Sequence, residues 1–201
     1  MSSNRIQKDT IQSISYPDSE IIQDALQRYF DHYHFNNGGY FDKWFKIKFF
    51  GPFVLTLPNI KARVDAVKLH DIHHLLTEYV ADLRGESEIG AWEIAAGCGK
   101  YYVGWVLNSG TLVYGTVIWP GRIYKAFMAG RHCSCLYHDT AYQYNQELLS
   151  KKVGELRNEF GINSKAKNTI FDRLLFISTI TAIWILFLSL PFLFVYLIFF
   201  R

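Results

Sequence analysis

The spacing of apolar and polar positions divides the chain into a polar start, a long patterned middle and an uncharged end. Residues 1–19 hold no apolar periodicity and read as a polar, mobile N-terminus. From there Ile21, Ile22, Ala25, Leu26 and Phe30 recur at helical spacing, with Ser19 as a cap and Asn37-Gly38-Gly39 as the stop. The next stretch, YFDKWFKIKFFGPFVLTLP, is aromatic and lysine-dotted. Gly51-Pro52 and Pro58 argue against a long helix there, so loops and a short helix closing one end of the core are expected. A second reading of the same stretch is a surface at the lipid headgroups, where Trp and Tyr sit and lysines reach anionic lipids.

Asn59 is placed to cap a helix over about 60–82 that carries Val64, Val67, Leu75, Leu76 and Val80 inward. Gly85 breaks the chain, and Glu86 begins a helix through Ala91, Trp92, Ile94 and Ala95 towards Gly97. Residues 101–120 contain no charge. Asn108-Ser109-Gly110 interrupts them, so two short buried segments lining an apolar pocket are expected rather than a membrane span. Helical patterns follow over about 121–144 and 145–158, then a polar linker, NSKAKNT.

The end of the chain is different. Leu174 to Phe200 runs 27 residues without a charge. A bilayer core needs about 20 helical residues, so this segment can span with tilt, or with a kink at Pro191. A hairpin turning at Ser189-Leu190-Pro191 would leave two short halves. Lys165, Lys167 and Arg173 flank the N-terminal side, which places the preceding domain at the cytoplasmic face, in a bacterial inner membrane. The expected organisation is therefore a mobile 1–19, a helical domain 20–162, a linker 163–173 and a tail anchor 174–200.

Composition sharpens two points. The net charge is +3, and no Lys/Arg cluster stands out, which argues against nucleic-acid binding. The cysteines number three, with Cys133 and Cys135 two residues apart, which does not suit a secreted disulfide framework. The N-terminus has no apolar core and is not read as a signal peptide.

The candidate chemistry lies in His70-Asp71-Ile72-His73-His74 and Glu86. On a helix His70 and His74 lie one turn apart, and Asp71 and His74 are also neighbours. Glu86, after the Gly85 turn, can return to the same centre. Two imidazoles and two carboxylates suit a borderline divalent ion, with zinc, manganese, cobalt and iron all chemically acceptable. With an open position, such a site supports hydrolytic or oxygen chemistry. His73 falls on a different face and is expected beside the site or at the surface. Glu93, seven residues after Glu86, is a neighbour on the same helical face. The alternative for the whole group is a polar helix face satisfied by water. A second grouping, Arg131-His132-Cys133-Ser134-Cys135 with His138-Asp139, reads as ordinary helix and surface residues, since closely spaced ligands on one element rarely converge.

The motif resembles that of the coenzyme Q (ubiquinone) biosynthesis protein four family, which carries His-Asp-x-x-His, eleven residues, then Glu. Here His70-Asp71-Ile72-His73-His74 is followed by eleven residues, Leu75 to Gly85, and then Glu86. Ala126 to Arg131 is similar to that family's Gly-Arg helix, and Val153 to Ile162 to its Leu-Arg helix ending in Leu-Gly-Ile. The similarity covers about residues 20–162, and the apolar tail lies outside it. The resemblance implies an all-α fold with a buried apolar lipid pocket for a prenyl chain. It implies a divalent metal, zinc first, on His70, Asp71, His74 and Glu86, which would also be the catalytic residues. The implied activity is replacement of the ring carboxylate of a prenylated 4-hydroxybenzoate by hydroxyl. The alternative it implies is a non-catalytic lipid-binding scaffold that organises other quinone-biosynthesis proteins, with self-association open.

Overall fold

In the computed structural model, residues 13–48, 54–138, 142–164 and 167–199 are described. They form a mostly helical domain and one long C-terminal helix. The helices are α1 (Ile22–Tyr33), α2 (Lys61–Thr77), α3 (Leu83–Ala96), α4 (Tyr102–Ile118), α5 (Pro120–Gly130), α6 (Gln146–Ser150), α7 (Val153–Glu159) and α8 (Ile170–Phe199). Two strands, β1 (Trp44–Lys48) and β2 (Val54–Pro58), pair antiparallel with Phe45 opposite Leu57. The expectation of loops and a short helix between α1 and α2 is thus corrected to a hairpin. Pro58 fits because it ends a strand in a two-stranded pair, where its missing N–H costs little.

α2 is the centre of the domain. Its C-terminal half is enclosed on every side: Leu69, Asp71, Ile72, His73, His74, Leu75 and Leu76 are all buried. α1 lies against it with Ile22, Ala25, Leu26, Tyr29 and Phe30 inward, as the helical spacing predicts. The caps differ from expectation. Ile21 and Ile60 occupy the cap positions, and neither has a side-chain oxygen to accept from the first turn. Asn59 is spent elsewhere: its Nδ2 donates to the carbonyls of Gly39 and Asp42, and its Oδ1 accepts from Arg63. It ties the base of the hairpin to α2.

α3, α4 and α5 form a tight layer held together by small residues. A Cβ on Gly130 would fall 2.3 Å from the Trp92 carbonyl, and one on Gly115 would fall 2.6 Å from the Ser87 Cβ. Larger side chains would force these helices apart. α4 is continuous through Asn108-Ser109-Gly110, so the two-segment expectation is wrong. Asn108 is buried and donates to Glu93 on α3, so its polarity is satisfied between helices rather than in a turn. The helix expected over 121–144 stops at Gly130, and the one over 145–158 is two short helices, α6 and α7. The lipid pocket expected beside residues 101–120 is not delineated among the described residues. One depression among the described residues lies between Gln27, Phe30, Asp31, His34, Phe35 and Asn36, none of them in the metal motif.

α8 is the one helix among the described residues long and apolar enough to cross a membrane. Its first turns pack on the domain, with the Phe176 ring 5.2 Å from those of Tyr124 and Phe127. Contacts continue to Trp184, and past it described side chains stand free, with Ile185 64% and Phe192 77% exposed. A soluble helix would bury or charge such a face.

Candidate metal centre

The α2–α3 connection shapes the site. Glu78 adopts φ 58° after the last turn of α2, and its N–H donates to the His74 carbonyl. Asp82 then caps α3, its Oδ1 accepting from the Gly85 N–H at 2.7 Å. Gly85 is required by close approach, since a Cβ there would lie 1.8 Å from the Val80 carbonyl oxygen. This sharp return brings Glu86, on the first turn of α3, over the last turns of α2.

His70, His74 and Glu86 each offer one ligand atom, and these atoms lie within 4.8 Å of one another. His70 Nε2 is 3.3 Å from Glu86 Oε2, His74 Nε2 is 3.2 Å from Glu86 Oε1, and the two Nε2 atoms are 3.2 Å apart. The other ring nitrogens are committed. His74 Nδ1–H donates to the Tyr79 carbonyl at 2.8 Å, and His70 Nδ1–H donates to Glu93 Oε1 at 2.9 Å. A carbonyl oxygen and an ionised carboxylate can only accept, so each Nδ1 carries a proton and each Nε2 is the nitrogen turned inward, a lone pair wherever the ring is neutral. Two lone pairs and a carboxylate facing one point repel unless a cation lies among them. The residues therefore fit a divalent metal by donor chemistry, and the His-carboxylate and His-carbonyl contacts are the kind that orient metal-binding imidazoles.

Asp71 stands beside this trio rather than in it. Its Oδ2 accepts from the Tyr40 hydroxyl at 2.6 Å. Burial pushes its carboxyl up to about 6, against the pull of His70, of the Tyr40 hydrogen bond and of His74. His73, expected beside the site or at the surface, is fully buried. Its Nε2 accepts from the Leu136 N–H at 3.0 Å, so its Nδ1–H donates to Glu93 Oε1, at 2.6 Å. Burial lowers its basicity, more than Glu93 restores it.

Glu93 is the residue whose importance the motif does not announce. It has no exposed surface, and it receives His70, His73 and, at 2.5 Å on Oε2, Asn108. The seven-residue spacing from Glu86 puts it on the right face. Its role depends on α4 supplying Asn108, which no local pattern reveals. Burial opposes the charge on both Glu86 and Glu93, but the neighbouring imidazoles prevail and hold both carboxyls below the usual range. Burial likewise opposes a charge on His70, and Glu93 and Glu86 together outweigh it, raising its proton affinity well above the ordinary value. A proton is thus the cation that balances the metal-free site. His74 is stacked on Tyr29, centroids 5.5 Å apart. The open side lies at Glu86, whose side chain is 35% exposed, while those of His74 and Glu93 are 0%.

The second grouping does not assemble as a metal site among the described residues. Cys133 Sγ donates to the Ala129 carbonyl and Cys135 Sγ to that of Gly97, while Asp139 lies outside the described residues. All three cysteines are free. Compared with known proteins, the chain matches no family model, no curated protein and no solved structure.

Proposed function

We propose that this chain is a membrane-anchored metalloprotein of prenylated-quinone synthesis, acting on the ring carboxylate of a prenylated 4-hydroxybenzoate. The observation that carries the reading is the convergence of the His70 and His74 imidazoles and the Glu86 carboxylate, whose ligand atoms lie within 4.8 Å of one another and would be completed by a divalent ion. The motif spacing supports the quinone assignment, and the apolar α8 supports a substrate that resides in lipid.

His70, His74 and Glu86 hold the ion, zinc in the first instance, and Asp71 with Tyr40 forms the adjoining polar wall. When bound, the ion supplies positive charge that stabilises a substrate carboxylate or phenolate. The rest of the chemistry belongs to the protein. Glu93 and the Tyr79 carbonyl keep each imidazole in the binding tautomer. His73 and Asn108 keep Glu93 from turning away. The half-exposed side at Glu86 admits the head group, while the buried flank excludes water. The net change balances with dioxygen as oxidant: carboxylic acid, dioxygen and water give the ring hydroxyl, carbon dioxide and hydrogen peroxide. Lys167 before α8 and Arg173 in its first turn support a cytoplasmic orientation of the domain in a bacterial inner membrane.

The test supplies the purified full chain with zinc, dioxygen and a prenylated 4-hydroxybenzoate, and follows release of the ring carboxylate as carbon dioxide. Turnover that disappears in Glu86→Ala supports the reading. Turnover unchanged by Glu86→Ala overturns the catalytic role, and tight binding of the lipid without turnover makes the protein a scaffold that presents quinone precursors to partner enzymes.

A further inference from the structure

α4 and its corner with α5 lack what an exposed element ordinarily has. From Tyr102 to Ile118 there is no charged residue. Yet Tyr102, Trp105, Val106, Val117 and Ile118 are 59%, 40%, 66%, 63% and 47% exposed. A helix whose outer side meets water carries charge there. This outer side has something else to meet.

Three contacts fix where the corner lies along α8. Arg131, just past α5, pairs with Asp172 at 3.1 Å. Tyr124 and Phe127 flank Phe176. Trp184 Nε1 donates to Thr116 Oγ1 at 3.2 Å. α5 therefore runs back along α8, and the corner Val117-Ile118-Trp119-Pro120 lies level with Trp184. The Arg131–Asp172 pair keeps the first turn of α8 in the polar part of the protein. The stretch of α8 long and apolar enough to cross a membrane takes in Ile170–Leu190, so Trp184 and the corner level with it stand within its length.

We propose that the α4–α5 corner is a second membrane-contacting element, a wedge seated in the acyl boundary of the leaflet that α8 enters, its occupant the phospholipid bilayer. The residues around it agree. Trp119 and Trp184 are suited to the interface, and the exposed Lys125 and Arg122 follow on α5, one to two turns back towards the headgroups. Ser87, next to Glu86, abuts Gly115 just before the wedge. The metal cluster is accordingly held at the membrane surface, not a domain's width above it.

The test uses the full chain in phosphatidylcholine–phosphatidylglycerol vesicles, with a nitroxide label on Val117→Cys. Ile185→Cys serves as the embedded reference, Lys61→Cys as the aqueous one, and the unmodified chain as the background from native cysteines. The expected result is that the label at 117 is relaxed by dissolved oxygen and shielded from a water-soluble nickel chelate, as at 185 and opposite to 61. Ile118→Cys should repeat it. Labels at 117 and 118 that behave like 61 while 185 stays embedded overturn the wedge and leave α8 standing. A label at 185 that is open to the nickel chelate overturns the wedge and the spanning helix together.

Discussion

Two polar clusters lie at the C-terminal end of α2, and they are built on opposite principles. One is centred on Arg157 of α7. Its guanidinium donates to the carbonyls of Leu75, Leu76 and Tyr16 and to the carboxylates of Asp18 and Glu78, at 2.8–3.0 Å. That accounts for all five of its N–H donors, and it stops the exposed carbonyls at the end of α2 with positive charge. The other is His70, His74 and Glu86, one to two turns earlier. There the Nδ1 protons are committed outward, and two Nε2 atoms and a carboxylate face each other, to be balanced by a proton or a metal. The first cluster is closed and explains itself as structure. The second is balanced only by an added cation. Buried polar groups are common in both; the unbalanced count of donors and acceptors is what distinguishes a site from a brace.

The largest effect should fall on the closed cluster. Arg157→Leu strands the carbonyls of Leu75, Leu76 and Tyr16. It should lower unfolding stability by about 2 kcal/mol, measured by urea unfolding of the detergent-solubilised chain, with bound metal per folded molecule unchanged. Loss of metal alone, at full stability, would mean that the two clusters are one functional unit.

The contact behind the open cluster comes next. Glu93→Gln keeps the shape of the side chain and an oxygen for His70 and His73, but it loses the negative charge and turns an NH2 group towards the Asn108 amide in place of the accepting Oε2. Zinc affinity should fall by roughly 10–100-fold, read by competition with a chromogenic chelator. An unchanged affinity would show that Glu93 serves only the core.

Acid and base should separate the metal-free from the metal-loaded protein. Glu86 and Glu93 are held below their usual value of 4.5, so the stability they contribute is present above 4.5 and lost as pH falls through their folded values. His70 is raised above its usual 6.5, so its contribution is present below 6.5 and lost as pH rises through its folded value. Thermal unfolding of the metal-free chain should therefore weaken on both sides. With zinc bound, the metal takes the proton's place and the alkaline loss should vanish. An alkaline loss that persists with zinc present would place the ion elsewhere.

The smallest effect concerns Asp71. Asp71→Asn retains an acceptor for Tyr40 and should leave zinc stoichiometry intact, with a fall in affinity smaller than that of Glu86→Gln. An equal fall for both would make Asp71 a direct ligand.

How much of this could be read in advance follows the range of the interactions. The i, i+4 histidines and Glu86 are local, and the chain declares them. So is the apolar run that becomes α8. The break expected at Gly85 is instead a return over Glu78 to Asp82, with Gly85 already inside α3. The hairpin was hidden because Gly51-Pro52 and the aromatic–lysine mixture suit several loop structures equally well. The continuity of α4 was hidden for a different reason. Asn108 breaks a helix when its side chain competes for the local backbone, but here Glu93, fifteen residues away, takes its N–H. His73 was set aside because it faces away from His74. It nevertheless lies one turn from His70, and the two share Glu93 across the helix. The site was legible where its parts lie on one turn, and illegible where α4 and the Leu136 N–H complete it from afar.

The most direct measurement is the divalent metal bound per chain in purified full-length protein, alongside His70→Ala combined with His74→Ala. The account predicts one equivalent in the native protein, restored by zinc after chelation, and none in the double variant. A native protein that takes up no stoichiometric metal, or a double variant that keeps it, would contradict the assignment of His70, His74 and Glu86 as a metal centre.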